Sequence, residues 1–334
     1  MKLFLFLLSL VNADYCKIRQ SDIDEFNIFT HKYDKFYETV GEYFERLNIY
    51  MNNRNYIHNR NNQNLSYSLE INKFADMTFN EFSRSHFGYS HNSTFSEKGV
   101  LHNMTIPGRN GSNQFIDWRA EGLVEDIKDQ GQCGSCWAFS AVVVMEANHA
   151  RETGKLVSLS EQDLVDCVKD CYGCGGGWPT AAISWVINGS SGNFSKNTSG
   201  IDTENSYSYL GIDEVCKFNV SNVGARFRHL VQIPEGSCSH LLDALLSVGP
   251  ISVAIDAEQD FQFYQTGLFQ TQECSSSHLD HAVALVGYGR TSEGKNYYIL
   301  RNSWNTDWGQ DGYMYYSADI DNMCGVCQDA SYVL

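Results

Sequence analysis

Between Ser21 and Asn61 apolar residues return at helical intervals in an otherwise polar stretch: Phe26, Phe29, Tyr33, Phe36 and Tyr37, then Tyr43, Phe44, Leu47, Tyr50 and Ile57. A stripe of this period predicts two helices packed against each other. From Phe87 to about Asn113 the periodicity stops, and Gly, Ser, Asn and His dominate, which predicts an exposed linker open to proteolysis. Residues 137–152 are apolar on nearly every side and end at Gly154, the pattern of one buried helix. Ser160-Glu161-Gln162-Asp163 has the form of a capping box that opens another helix, reaching Cys167. The later chain changes period: Ile251–Ile255, 282–287, 296–300 and 313–316 are β-rich runs divided by Gly-containing turns. The expected fold is α+β, a helical lobe followed by a sheet-rich lobe, with a cleft between them as the natural binding site.

Composition refines this picture at a few points. A chain of 334 residues with 43% hydrophobic and 19% charged residues is ordinary for a globular protein and large enough to bury a sizeable core. Met1-Lys2, the apolar run to Val11 and then Asn12-Ala13 have the form of a secretory signal peptide, 1–13, cut after Ala13. The run falls short of the roughly 20 residues a membrane span needs, and no later run reaches that length. Residues 14–112 hold 11 basic and 12 acidic side chains, whereas 113–334 hold 12 and 28, so the whole net charge of −16 sits in the second part. That charge excludes a nucleic-acid binder held by phosphate contacts. An acidic surface moves closer to neutral in an acidic compartment, which hints at a lysosome or vacuole.

Eleven cysteines in a secreted chain argue for disulfides, and the odd count leaves at least one thiol. Cys167, Cys171 and Cys174 are also spaced as metal ligands could be, although an oxidising compartment favours disulfides over metal. Eight glycosylation sequons begin at Asn64, Asn92, Asn103, Asn110, Asn188, Asn193, Asn197 and Asn219. Three of them fall in the Ser-, Asn- and Gly-rich stretch 188–200, read as a solvated loop.

The run Gln130-Gly131-Gln132-Cys133-Gly134-Ser135-Cys136-Trp137 puts Cys136 at the first turn of the predicted buried helix. Free N–H groups and the positive helix end favour a thiolate there. A nucleophile of this kind needs a base that is held by a third group. His281 opens one predicted strand and Asn302 follows the next, and a turn near Thr291 makes the two antiparallel, so the hairpin brings His281 roughly opposite Asn302. The Asn amide oxygen then holds one imidazole nitrogen, Trp304 screens that bond from water, and thiolate and imidazolium form together. His278 is the rival base, three residues earlier in a polar stretch.

At these residues the chain resembles the papain family of cysteine proteases, of the cathepsin L type. Cys133 to Trp137 match C-G-[SA]-C-[WY], with His281 and Asn302 following Cys136 by 145 and 166 residues. Glu42, Arg46, Tyr50, Asn53, Ile57 and Asn61 match the family's propeptide motif E-x3-R-x3-F-x2-N-x3-I-x3-N with Tyr for Phe. Asn72, Phe74 and Asp76 match G-x-N-x-F-x-D, with Glu70 in place of Gly.

The resemblance implies a papain-like two-lobe fold, with a helical left lobe and an antiparallel β-barrel-like right lobe, behind a helical inhibitory propeptide. The division is 1–13 signal peptide, 14–112 propeptide and linker, and 113–334 mature peptidase, with a cut between Pro107 and Asn113. It implies Cys136 as nucleophile, His281 as general acid and base, Asn302 as its orienter, and Gln130 with the Cys136 N–H as oxyanion hole. Gly176 and Gly177 would pair with bound peptide. Trp178, Pro179, Ala254, Leu279 and Ala282 would line the pocket for the second residue before the scissile bond, with Asp329 at its floor accepting Arg or Lys and Trp304 nearby. The pairings implied are Cys133–Cys174, Cys167–Cys216 and Cys274–Cys324, leaving Cys16, Cys171, Cys238 and Cys327 unassigned. No metal or organic cofactor is implied. The implied partners are peptide and protein substrates, the chain's own propeptide and cystatin-like inhibitors, with the enzyme a monomer in the secretory pathway, lysosomal, vacuolar or extracellular. Other readings are a silent homologue that only binds, and an exopeptidase with a blocked cleft.

Overall fold

The computed structural model describes residues 18–90, 99–104, 115–189 and 198–334. The signal-peptide stretch, Cys16, the expected cut at 107–113 and the sequons at Asn92, Asn110, Asn193 and Asn197 lie outside these residues.

The helical stripe of the N-terminal region forms Gln20–Lys32 and Val40–Asn61. Phe26 and Phe29 of the first helix meet Tyr50 of the second at ring distances of 5.3 and 4.9 Å. The polar motif residues tie this pair to the chain that follows. Asn53 donates to the carbonyls of Ala75 and Met77 at 2.9 and 2.8 Å. Arg46 pairs with Glu81 at 2.9 Å, and Asn61 donates to Leu69 O at 2.8 Å while accepting from Leu69 N at 2.9 Å. A third helix, Phe79–His86, starts from a complete Thr78/Glu81 capping box. It aims the following residues at the cleft.

The buried helix of the C-terminal part is Cys136–Thr153, ended by Gly154 in the left-handed conformation (φ 73°). It packs with Glu161–Cys167 and Pro179–Asn188 around Trp137, Val142, Met145, Leu164 and Ile183. Ser160 caps Asp163 N, but the Asp163 carboxylate turns away to accept from Asp202 N at 3.0 Å, so the expected capping box is only half made. The second lobe is one long, mainly antiparallel sheet with His281–Arg290 at its centre, between Ile251–Ile255 and Asn296–Arg301. Strands Tyr264–Phe269, Leu230–Gln232 and Ala330–Val333 extend it. Being short or interrupted by Gly and Gln, they carry no clear alternation in the sequence.

The N-terminal region docks on both edges of this sheet. Tyr67–Leu69 pairs with Tyr264–Phe269 at one edge, and Val100–Leu101 pairs with Leu230–Gln232 at the other. Asp260, 3% exposed, accepts from Tyr56, Arg60 and Tyr67 of the N-terminal unit, with Tyr56 Oη at 2.7 Å and Arg60 Nε at 2.9 Å. Glu70, the departure from the motif, bonds Gln265 of the second lobe. The linker expected to be exposed is therefore docked over residues 87–90 and 99–102, because its few apolar and hydrogen-bonding groups find partners on the domain.

Four disulfides are present among the described residues: Cys133–Cys174, Cys167–Cys216, Cys274–Cys324 and Cys238–Cys327. Cys171 stays a buried thiol, and with Cys167 and Cys174 in disulfides the metal-ligand alternative for these three falls away. Asn64, Asn103 and Asn219 are exposed, whereas Asn188 is half-buried and bonds Ser184 Oγ at 3.2 Å. No described helix is long and apolar enough to cross a membrane.

Candidate active site

Three elements converge at one end of the helical lobe. Cys136 is the first residue of its helix, His281 the first of the central strand, and Asn302 the residue after Asn296–Arg301. Arg301 sits across from Ala284, so His281 and Asn302 meet on the diagonal beyond the last pair rather than in direct register. His281 Nε2 lies 2.9 Å from Asn302 Oδ1. Trp304 stacks on the imidazole at 4.7 Å and 25°. His278 is elsewhere, exposed beside Ser275 in the wall of the pocket that Leu279 and Asp329 also line.

Gln130 is fully buried. Its Oε1 accepts from Ser303 Oγ at 2.6 Å and Trp304 Nε1 at 3.1 Å, which fixes the amide so that Nε2 points into the cleft. There Nε2 donates to the carbonyls of Cys133 at 2.8 Å and His86 at 3.0 Å. The second of these belongs to the N-terminal unit, which thereby occupies the inward-facing amide of Gln130. The next residues of that unit cover the rest of the site. Phe87 lies 5.4 Å from the His281 ring, and Gly88 N donates to Cys136 Sγ at 3.2 Å. Ala282 N donates to the same sulfur at 3.4 Å. Only glycine fits at 88, since a Cβ there would stand 1.8 Å from Gly134 O. Gly177 N donates to Gly88 O at 2.8 Å and Gly177 O accepts from Ser90 N at 3.0 Å, a one-residue parallel bridge centred on Tyr89.

Covering the site sets its charge state. Burial pushes the Cys136 thiol up to about 12, against the pull of the Ala282 and Gly88 N–H groups. Burial pushes His281 down to about 3, only partly offset by Asn302. The thiolate–imidazolium pair expected from the sequence is therefore suppressed while residues 86–90 are in place, since each member loses water it needs to carry charge. His281 Nδ1 is buried with no hydrogen-bond partner, the Cys136 sulfur being taken by the two N–H groups.

His86, buried at the end of helix Phe79–His86, is the first residue of this cover. Its Nδ1 meets Ser85 Oγ at 2.8 Å and Phe82 O at 3.1 Å, and its ring stacks on Phe82 at 4.7 Å with Phe74 edge-on at 4.8 Å. Burial pushes its pKa down to about 4, outweighing the opposite effects of Phe82 O and Asp129.

Of the residues expected to bind substrate, Leu279 and Asp329 line an open pocket of about 720 Å³ together with Tyr89, Thr180, Glu235 and Asp280. The Tyr89 hydroxyl donates to Asp329 Oδ2. Trp178, Pro179, Ala254 and Ala282 are buried and do not line that pocket; Ala254 pairs with Ala282 across adjacent strands and donates its N–H to Asp329 O at 3.0 Å. Gly176 is turned to the loop, accepting from Tyr172 N at 2.7 Å. Sequence reasoning missed His86, Phe87, Gly88 and Tyr89. The signal was present as two aromatics flanking a glycine inside an otherwise polar stretch.

Comparison with known proteins identifies both parts of the chain. Residues 112–334 match the papain family cysteine protease model, and residues 26–82 match the cathepsin propeptide inhibitor domain. A cathepsin L-like peptidase of Aedes aegypti is 40% identical over 347 aligned positions, covering 100% of each chain. Digestive cysteine proteinase 1 of Homarus americanus is 41% identical, covering 91% of this chain and 92% of its own. Among solved structures, digestive procathepsin L 3 of Tenebrio molitor larval midgut superimposes with a TM-score of 0.82 at 33% identity, covering 94% of this chain and 99% of that one. The chain belongs to the papain family of cysteine proteases and carries the cathepsin-type inhibitory propeptide in front of its protease domain.

Proposed function

We propose that the chain is a cysteine endopeptidase, made as a zymogen in the secretory pathway, that cleaves with Cys136 and is held inactive by residues 86–90. The observation that carries this reading is the double occupation of the site: His86 O on Gln130 Nε2 and Gly88 N on Cys136 Sγ. Once that segment leaves, water returns, and the proton can pass from Cys136 to His281, which Asn302 keeps oriented through Nε2. The thiolate attacks the scissile carbonyl carbon, and the oxyanion takes the place of His86 O on Gln130, aided by the Cys136 N–H. Collapse breaks the C–N bond as His281 gives its proton to the leaving amine. Water, deprotonated by His281, then releases the acyl group and regenerates the thiol. Four disulfides support a secretory route. A monomer working in a lysosome, vacuole or outside the cell, with cystatin-like inhibitors as partners, is the accompanying expectation.

For substrate choice, Asp329 supplies a carboxylate in a pocket that Tyr89 also lines, and that carboxylate now holds the Tyr89 hydroxyl. This favours Arg or Lys at the second position before the scissile bond beside aromatic and aliphatic residues, through a charge-assisted contact. After acid activation under reducing conditions, Arg-Arg and Phe-Arg dipeptidyl amides are both cleaved. In Asp329→Ala, kcat/KM for Arg-Arg falls by about tenfold or more while Phe-Arg holds. Equal losses for both substrates would remove Asp329 from specificity.

Acid is the expected trigger. Because His86 is depressed from its ordinary value near 6.5 to about 4, it favours the closed arrangement fully only above pH 6.5. That contribution fades as pH falls towards 4, and by pH 5 the closed state has lost about 2 kcal/mol. His86→Phe keeps a ring and removes the titration, so its activation at pH 5 is expected to slow by about 30-fold. The time course of amidase activity between pH 4 and 7 measures this, and an unchanged pH profile rules His86 out as the sensor.

A further inference from the structure

The propeptide grips the protease domain at a place away from both the cleft and the Asp260 contact. Val100–Leu101 lies parallel to Leu230–Gln232, with Val100 beside Val231 and Leu101 beside Gln232. Gly99 N donates to Gln232 Oε1 at 3.2 Å and His102 N donates to Gln232 O at 2.8 Å. Val100 and Leu101 are 57% and 59% exposed, so their side chains contribute little. His102 is different, at 4% exposed. Its Nε2 lies 3.0 Å from Asp243 Oδ2 on helix Cys238–Ser247, and its Nδ1 lies 3.1 Å from the Tyr332 hydroxyl on strand Ala330–Val333. The His240 ring lies edge-on at 6.3 Å.

A buried imidazole bridging a carboxylate and a hydroxyl is costly to build unless it holds something. We propose that Gly99–His102 is a second propeptide anchor, independent of the cleft segment, which keeps the linker docked on the Leu230–Gln232 edge after residues 86–90 have left. The chemistry of the two histidines differs in the way this requires. His86 meets only a carbonyl and a hydroxyl, so a proton there has no counter-charge within hydrogen-bond reach. His102 faces a carboxylate at one nitrogen and a hydroxyl at the other. The Asp243 carboxylate accepts at Nε2, and the Tyr332 hydroxyl at Nδ1 is able to donate or accept, so neither contact depends on one arrangement of the ring; the neighbouring His240 bonds Ser237 Oγ at 2.7 Å. Opening is thereby ordered: the cleft first, the linker afterwards. The anchor does not depend on the substrate preference proposed above.

The test is hydrogen exchange followed by mass spectrometry on the full-length Cys136→Ala zymogen, which cannot cut itself, at pH 7 and about pH 4.5 after correction for intrinsic rates. The expected result is that the peptide covering 86–90 loses protection in acid while the peptide covering 99–103 keeps it. Adding His102→Ala lowers protection at 99–103 by about tenfold or more, the loss expected for a hydrogen bond to a charged group, and leaves 86–90 as before at pH 7. Asp243→Asn, which keeps the shape and removes the charge, is the reciprocal variant with a smaller expected loss, and unchanged protection in the Cys136–Thr153 helix checks that the protease domain holds its fold. Two segments opening together in acid, or protection at 99–103 that ignores both substitutions, would overturn the proposal.

Discussion

Cys136→Ala yields a zymogen that folds, keeps its four disulfides and remains uncut at pH 5, with amidase activity lowered by a factor on the order of 10⁵–10⁶. The expectation rests on placement. The sulfur starts the central helix, accepts N–H bonds from Gly88 and Ala282, and shares a cleft with the His281–Asn302 pair. The substitution removes one atom from a buried position without adding a charge, so its stability cost is small beside its catalytic one. Dipeptidyl-amide hydrolysis, after the propeptide has been removed with a serine protease that is then inhibited, measures this. Activity above a hundredth of the unmodified protein would reject Cys136 as nucleophile and turn attention to Cys171, the other described thiol.

Gln130→Ala is expected to lower kcat by about 10²–10³ with little change in KM, the signature of a donor used mainly in the transition state. Nε2 is aimed by the contacts of Oε1 with Ser303 and Trp304 and now rests on His86 O. The same change loosens the cover, because the His86 carbonyl loses its donor, so amide exchange at 86–90 in the variant zymogen becomes faster. Opposite movements of these two readouts separate a lost oxyanion donor from general damage to the site, which would slow turnover and raise KM together. Thermal melting of the zymogen reports the cost of leaving Trp304 Nε1 without its acceptor.

Much of the molecule is legible in local pattern. The aromatic stripe around Phe26, Phe29 and Tyr50 gives the propeptide helices because an amphipathic face must be buried. The apolar run after Cys136 gives the central helix, and Gly154 its end. The C-G-S-C-W run places the thiol at that helix start, and the Asn302-Ser303-Trp304 run places an acceptor after a strand. These are features that a few neighbouring residues determine by themselves: period, caps, turn chemistry and a motif.

What the tertiary structure alone decided depends on contacts between residues distant in sequence. Four cysteines outside the implied set left several pairings open, and only folding brings Cys238 to Cys327 across 89 positions. The 87–90 stretch looks like linker by composition, yet Gly88 passes so near Gly134 that no side chain would fit, and Tyr89 meets Asp329 across 240 positions. His102 gains Asp243 and Tyr332 only because a short exposed strand finds the edge of a sheet. The charge state of the site follows the same rule: the sequence determines which groups can form an ion pair, and burial by a segment about 50 residues earlier in the chain decides that they do not form it yet.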